Sequence, residues 1–298
     1  MQISTSSFYD NTSKRLSAMS ARASALQVEI ATGKRFQTPS EAPATSQQIA
    51  ELNRKDADAA VYGGNLTLAG SLLDQADGVL GQIGTQLQRA LELTTQAANG
   101  TQTPATRKIL GTELASIVDA VAGLANIRNV RGQPLFGTPD GVPAVTKNAD
   151  GSFAYATINV SEVPIADGQT VQATEGASRI FKLDGGKDTL KILSDLAAAL
   201  QADGSTGTSA SDALDDLNAG IEQVTVVQAS VGARSARVEL QQTLLATADT
   251  DRAALRSKLE DTDVTSAVIE LQQMMTALSA TQSSFSKLSS LSLFDYLR

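Results

Sequence analysis

The 298-residue chain contains no cysteine, no histidine and no tryptophan, and aromatic residues make up only 4% of it. Without thiols or imidazoles it cannot build a Ser-His-Asp or Cys-His nucleophilic site, an HExxH motif, or a thiolate or imidazole metal site. It also has no GxGxxG or P-loop sequence. Carboxylates do cluster at Asp215–Asp216 and Glu260–Asp263, a pattern typical of solvated helix surface. We therefore predict that the chain is not an enzyme, has no catalytic residues, and binds no cofactor or metal ion.

An excess of positive charge and long apolar runs are missing as well. The net charge is −8 and the isoelectric point is near 4.7, which gives nucleic-acid binding no electrostatic support. No run of 18 apolar residues occurs, so membrane insertion is not expected. The hydrophobic content of 42% is enough for a core, and the scarcity of aromatics implies a core of Leu, Ile, Val and Ala, which suits long helices.

Both ends of the chain carry residues at alternating steps of three and four, the a and d positions of a coiled coil. The amino-terminal seam is Tyr9, Thr12, Leu16, Met19, Ala23, Leu26 and Ile30. The carboxyl-terminal seam is Val264, Ala267, Leu271, Met274, Leu278, Thr281, Phe285 and Leu288. These seams allow antiparallel pairing with each other or packing against neighbouring chains.

The carboxyl-terminal seam lies in a stretch with few interruptions and few charges. No Gly or Pro follows Ala233, which predicts an uninterrupted helix to the end. No charged residue occurs between Glu270 and Lys287, where a solvated helix normally has several. We expect other chains to bury this helix; the alternative is a core helix of an ordinary bundle.

The middle of the chain predicts helices on either side of a small β-rich insert. One helix is expected from Thr45 to Ala98, a second from Pro104, and others from Asp188 or Thr189 and from about Leu214. Between them, residues 138–186 contain regularly spaced Asp-Gly turns. The strands predicted there are Ser152–Val160, Gln169–Thr174 and Ser178–Leu183. The fold class that follows is mainly α, an elongated rod of long coiled-coil helices formed by both termini, with a β domain from the middle of the chain.

Several segments resemble the bacterial flagellin family. Ala25–Arg54 (ALQVEIATGKRFQTPSEAPATSQQIAELNR) resembles the family's amino-terminal signature, and Gln96–Asn126 its second helical segment. Val231–Glu239 resembles the returning helix, and Glu260–Gln272 the start of the terminal helix. The resemblance implies a terminal coiled-coil segment from residues 1–40 and 256–298, a helical rod from 41–137 and 187–255, and an outer β-rich domain from 138–186.

Within that family, Met1–Asp10 and the ending Ser292–Arg298 (SLFDYLR) are more similar to members at the hook–filament junction than to flagellin. The resemblance implies a structural subunit in the extracellular flagellum, exported without a cleaved signal peptide. Its implied partners are hook-associated protein 1, flagellin, further copies of itself in a ring, and an export chaperone on the carboxyl-terminal helix. The predicted assembly interface is Leu16, Met19, Leu26, Ile30, Val264, Leu271, Met274, Leu278, Phe285, Leu288, Leu293 and Phe294.

Two alternatives remain open. One is flagellin itself, the filament subunit, which shares both seams. The other is a secreted carbohydrate-binding or adhesive protein in which Phe153, Tyr155 and Phe181 of the insert stack on a glycan, although alternating aromatics in a strand are usually core residues.

Overall fold

The computed structural model describes the backbone of residues 2–99, 101–129, 131–138, 140–157, 162–202 and 207–296. Long helices dominate it, and two small sheets lie in the middle of the chain, so the mainly α fold with a β-rich insert is confirmed. The helices are α1 (Gln2–Thr32), α2 (Pro43–Ala98), α3 (Pro104–Ala125), α4 (Ala177–Phe181), α5 (Thr189–Ala202), α6 (Gly207–Glu260) and α7 (Val264–Tyr296). The strands are β1 (Val145–Lys147), β2 (Phe153–Tyr155), β3 (Glu162–Ala166) and β4 (Gln169–Gln172).

The chain divides into two compact units. Unit 1 consists of residues 1–57 and 248–298, and unit 2 of residues 58–247. Unit 2 contains one continuous hydrophobic core that extends along the chain from Leu66 to Val238. Helices α2 and α6 pack antiparallel there, since Gly63 lies beside Leu245 and Gly70 beside Val238. This core is built almost wholly from Leu, Ile, Val and Ala, as the composition predicts.

Two glycines allow close helix contacts within unit 2. A Cβ on Gly111 would lie 2.9 Å from the carbonyl oxygen of Ala197, where α3 crosses α5. A Cβ on Gly220 of α6 would lie 2.7 Å from the side chain of Thr189. Any larger residue at either position would force the helices apart, which explains why α3 and α6 accept the propensity cost of glycine there.

The β-rich insert consists of two antiparallel hairpins fastened to the helical part of unit 2. Strand β1 pairs with β2, and β3 pairs with β4 around an irregularity between Pro164 and Ala166. The side chain of Asn126, at the end of α3, accepts a hydrogen bond from the Val145 amide (3.0 Å) and donates one to the Val145 carbonyl (2.8 Å). Asn65 of α2 donates to the Pro164 carbonyl (2.8 Å).

A buried ion pair adds a further link between the insert and α6. The carboxylate of Glu175 binds the guanidinium of Arg234, and their side chains are only 4% and 16% exposed. Arg234 also donates to the Gln172 carbonyl, so one side chain of α6 binds both the last residue of β4 and the carboxylate of Glu175 just after it. Isolated two-stranded hairpins are only marginally stable, so the insert relies on these contacts with the helical part of unit 2.

Two secondary-structure predictions are wrong. Ser178–Leu183 is not a strand, because α4 covers most of it. Ile180 and Phe181 are adjacent and both fully buried, which a helical turn permits, whereas a strand would place them on opposite faces. Helix also fails to continue unbroken from Ala233, since α6 ends at Glu260 and α7 begins at Val264. The Ser152–Val160 prediction contains β2, but its last three residues lie outside the described part of the chain.

Candidate assembly interface

Helices α1 and α7 of unit 1 form an antiparallel pair. The rings of Tyr9 and Phe285 meet edge to face near one end, with centroids 5.3 Å apart. Further along, the Nε of Arg22 donates to the carboxylate of Glu270 at 2.9 Å. This ion pair raises the pKa of the Arg22 guanidinium, chiefly through its hydrogen bond to Glu270. The termini therefore pair with each other, one of the two arrangements that the sequence left open.

The residues protected by this pairing are those of the two predicted seams. Leu26 is fully buried, Ala23 and Ala267 are nearly so, and the other described seam residues are half-buried, apart from the exposed Val264. Of the predicted interface, these residues of α1 and α7 are buried or half-buried within the single chain: Leu16, Met19, Leu26, Ile30, Leu271, Met274, Leu278 and Phe285. The side chains of Leu288, Leu293 and Phe294 lie outside the described residues. Whether these positions also contact other chains stays a prediction.

A short bridge closes the other end of the α1–α7 pair. Gly33 ends α1 with φ at +71°, a conformation that glycine adopts without strain. The chain then runs beside the α6–α7 junction, where the Arg35 amide donates to the Glu260 carbonyl and the Thr262 amide to the Gly33 carbonyl, both at 2.8 Å. Lys34 also pairs with Glu260 at 3.1 Å.

Asp263 starts α7 at this junction. Its carboxylate accepts hydrogen bonds from the amides of Thr265 (3.0 Å) and Ser266 (3.2 Å) and from the Ser266 hydroxyl (2.7 Å). These bonds, led by the one from the hydroxyl, lower the pKa of Asp263. The carboxylate satisfies amides that the first helical turn leaves free, so it favours a new helix here without a Gly or Pro.

A second polar cluster in unit 1 joins α2 to α6. Arg252 donates to the carboxylate of Asp56 at 2.8 Å, and Arg256 contacts both Asp56 and Asn53. The hydrogen bond from Arg252 is the main reason that the pKa of Asp56 is lowered. No local sequence pattern indicates this cluster, because its members on α2 and α6 are about two hundred residues apart in the chain.

The outer face of α7 is apolar or uncharged, and it is exposed. Val264, Val268, Ile269 and Met275 are 46%, 44%, 53% and 51% exposed. No charge occurs from residue 271 to 286, whereas α1 exposes Asp10, Lys14 and Arg15. Val268 and Met275 flank the predicted seam, but Ile269 lies off it and was not predicted. The absence of charge was the signal that identified this face.

Neither a metal-binding cluster nor a membrane-spanning helix is found in the part of the chain that the structure describes. Among the described residues, no group of three or more carboxylates lies close enough together to hold a metal ion. No helix in the described ranges combines the length and apolar character needed to cross a membrane. What the geometry provides is a helix pair with an uncharged surface suited to contact with other proteins.

Models of known protein families match both helical regions of the chain. The family model for the bacterial flagellin N-terminal helical region matches residues 3–138, and that for the bacterial flagellin C-terminal helical region matches residues 214–297. The chain is 25% identical to flagellar hook-associated protein 3 of Salmonella typhimurium over 327 aligned positions, which cover 100% of both chains. It is 24% identical to flagellar hook-associated protein 3 of Escherichia coli over 316 positions, covering 99% of each.

Solved structures with low sequence identity share the fold. A putative flagellar hook-associated protein from Vibrio parahaemolyticus superposes with a TM-score of 0.68 at 21% identity, covering 74% of this chain and 100% of that one. The flagellar junction protein of Legionella pneumophila superposes with a TM-score of 0.59 at 12% identity, covering 71% and 99%. Because the two family models together match well over half of its residues, the chain belongs to the bacterial flagellin family.

Proposed function

We propose that this chain is a structural, non-enzymatic subunit of the bacterial flagellum that connects the hook to the flagellin filament. The name of the two curated relatives, hook-associated protein 3, supports this role over that of the filament subunit, because the match covers essentially the full length of all three chains. The Legionella relative of the same fold is described as a flagellar junction protein.

The observation that supports an assembly role best is the exposed, charge-free outer face of α7. Burying apolar surface contributes about 25 cal/mol per Å². A face without charges also avoids the desolvation penalty that buried ions incur. Neighbouring chains that cover Met275, within the uncharged stretch 271–286, would bury apolar surface without desolvating a charge. Val264, Val268 and Ile269 extend this apolar surface beside Glu270, which is already paired with Arg22.

The partners follow from this role. Hook-associated protein 1 lies on the hook side, flagellin on the filament side, and further copies of the chain lie alongside in a ring. An export chaperone covers α7 before assembly and so prevents premature association of its apolar face. Contacts between different surfaces of neighbouring copies are heterologous and close into a ring when the rotation permits. The place of action is the extracellular flagellum.

The glycan-binding alternative finds no support in the insert. Phe181 is fully buried and Phe153 is 9% exposed. Tyr155 stacks on Phe181 with ring centroids 6.1 Å apart and donates a hydrogen bond to Asp188 at 2.9 Å. The three rings form part of the core of unit 2 and leave no aromatic platform for a sugar.

Two substitutions on α7 test the proposal in cells that lack the chromosomal copy. Met275→Asp places a carboxylate on the outer face, and Leu278→Asp places one between α1 and α7. Burying an unpaired charge costs several kcal/mol per subunit, so both variants should leave complete hooks without filaments. Electron microscopy of the cells and flagellin released into the medium provide the measurement.

The control is Val61→Asp, which adds the same charge at an exposed apolar residue of unit 2 and should leave filaments intact. Normal filament numbers with Met275→Asp and Leu278→Asp would contradict the assembly role. Deletion cells that release no flagellin subunits would instead show that the chain is the filament subunit.

A further inference from the structure

Helix α6 has a second apolar face that the described residues leave exposed. Toward the core of unit 2 it buries Val224, Val227, Val231 and Val238. On a different face runs the α6 stripe, defined here by spacing of three and four as Val226, Ala229, Ala233, Ala236, Leu240 and Leu244. Its larger members are 53%, 60% and 52% exposed for Val226, Leu240 and Leu244. A helix that is apolar on two faces is normally buried on both.

A groove between α2 and α3, also in unit 2, offers a surface of complementary shape. Gln82, Thr85 and Gln86 line one wall, and Ala120, Gly123 and Leu124 the other, around a volume of 510 Å³. The Arg89–Glu113 ion pair (2.8 Å) joins α2 to α3. The hydrogen bond from Gln75 to the Arg128 carbonyl (3.4 Å) joins α2 to the residues just after α3. The groove, named the α2–α3 groove, is lined mainly by small or uncharged side chains.

Two glycines in this region have no described atom close to the position where a Cβ would lie. A Cβ on Gly123 or on Gly78, one turn before Gln82, would meet no atom within 4 Å. Glycine in a helix interior costs about 1 kcal/mol relative to alanine. The close contact of α3 with α5 explains why glycine is needed at Gly111. No such contact among the described residues explains Gly78 or Gly123. Close approach by a second chain would explain both.

Charge favours the same pairing. Unit 2 contains all of the chain's excess negative charge, so copies repel each other over most of its surface. The α6 stripe is accompanied by one exposed cation, Arg237, and the groove by the exposed Asp77 beside Gly78. Within the described ranges, neither has an ion-pair partner, and Asp119 at the opposite wall is already bound to Lys147 at 3.2 Å.

We propose that the α6 stripe of one copy docks in the α2–α3 groove of the next copy. This inference rests on the proposed ring of subunits and identifies a contact in it that is separate from α1 and α7. Leu240 and Leu244 fill the space above Gly123, and Arg237 lies near Asp77 of the neighbour. The contact is heterologous, since each copy contributes two different surfaces.

Disulfide trapping tests this contact without background, because the chain has no native cysteine. Leu240→Cys and Gly123→Cys are introduced into one full-length chain, which is expressed in deletion cells, and isolated flagella are oxidised gently. A disulfide forms only where two Cα atoms lie within about 7 Å. We expect a ladder of covalent multimers, at least about tenfold more abundant than with the control pair Val61→Cys and Gly123→Cys, which corresponds to about 1.4 kcal/mol.

Two results of the cross-linking experiment would contradict the proposed contact. Yields equal to the control pair would overturn the contact. Equal dimer formation by Leu240→Cys alone would show that the stripe pairs with itself instead. If the doubly substituted cells form no filaments, the purified single-cysteine chains are mixed over a concentration series, and only the mixture should form dimers.

A substitution that fills the groove tests the contact by function. Gly123→Leu improves helix propensity, so the purified variant should melt no lower than the parent, yet it should lose at least about tenfold in filament number if docking is blocked. Gly64→Leu is the matched control, because Gly64 of α2 also has open space around it but lies outside the groove. Wild-type filament numbers with Gly123→Leu, while Met275→Asp abolishes filaments, would refute this contact and leave the proposed function intact. Normal filaments with both variants would refute the proposed function.

Discussion

The two units of the chain differ most in charge. Unit 1 has twelve Lys and Arg residues against twelve Asp and Glu, so it is neutral. Unit 2 has twelve against twenty, which accounts for the entire net charge of −8. Self-repulsion opposes the close packing of like-charged surfaces. A neutral unit 1 suits dense packing among copies and partners, while an acidic unit 2 suits contact with solvent.

The two units also differ in how many hydrophobic residues they bury. Of the 46 buried hydrophobic residues in the described part of the chain, only Ala23, Leu26, Leu52 and Ala267 belong to unit 1. Unit 2 contains the rest, and nearly all of them join one cluster. Since apolar burial is the dominant favourable term in folding, unit 2 should be stable by itself, whereas unit 1 needs other chains for most of its burial.

Breaking the ion pair of Glu175 and Arg234 should give the largest loss of stability and so the clearest test of this difference in burial. Glu175→Ala leaves the 16%-exposed Arg234 without its main partner in unit 2 and should cost about 3–5 kcal/mol of unfolding free energy. Glu270→Ala breaks the Arg22 pair of unit 1, whose two side chains are 43% and 44% exposed, and should cost under about 1 kcal/mol. Urea denaturation followed by circular dichroism measures both. Equal losses would mean that the units do not differ in burial as described.

A matched pair of leucines gives the next largest effect. Leu26 and Leu87 are both fully buried, but Leu87 lies in the cluster of unit 2 and Leu26 between α1 and α7. Leu87→Ala should lower the stability of unit 2 by about 2–5 kcal/mol. Leu26→Ala should accelerate amide exchange in α1 and α7 alone, because local opening there does not require unit 2 to unfold.

Hydrogen exchange resolved by peptide distinguishes these outcomes. Faster exchange in α3 or α5 after Leu26→Ala would contradict the independence of the two units. Leu52→Ala serves as the control within unit 1, since Leu52 is also buried there but belongs to α2.

Local pattern was enough to predict most of the fold. The residues protected between α1 and α7 follow the predicted spacing of three and four, because helical periodicity depends only on neighbouring positions. The helix start at Pro104 is an equally local signal.

Features that depend on distant residues escaped prediction. The break after Glu260 requires the bridge to Gly33 and Arg35, more than two hundred residues away, in addition to the Asp263 carboxylate. Helix α4 forms where the sequence favours a strand, because the core of unit 2 accepts Ile180 and Phe181 together. Which surface the seams contact was likewise undetermined, since a seam specifies spacing and not its partner.

The smallest predicted effect concerns pH, since an alkaline response is expected in unit 2 from Tyr155, whereas unit 1 should respond in acid. In unit 1 the pKa of Asp263 is lowered chiefly by the Ser266 hydroxyl, and that of Glu41 chiefly by the Gln37 amide. Stabilisation from a lowered folded-state pKa is present above the unfolded values of about 3.9 for Asp and 4.3 for Glu, and is lost as pH falls through the folded ones. In unit 2, burial raises the pKa of Tyr155, and Asp188 adds to the shift. That stabilisation is complete below the unfolded value of about 10 and is lost as pH rises through the folded one.

Acid should therefore loosen the junction of α1 and α7 and also the turn between β1 and β2, where the Ser152 hydroxyl lowers the pKa of Asp150, whereas alkali should loosen the β-rich insert and its contacts with α5. Amide exchange after brief incubation at each pH locates the opening, and tyrosinate absorbance reports ionisation of Tyr155 in step with it. Tyr155→Phe keeps the stack on Phe181 but cannot ionise, so it should remove the alkaline transition and leave the acid one unchanged. Asp263→Asn retains an acceptor for the helix amides but has no charge to lose, so it should weaken the acid transition alone. Opening of the insert before α1 and α7 in acid would show that the carboxylates of unit 2, and not the turns of unit 1, set the response to low pH.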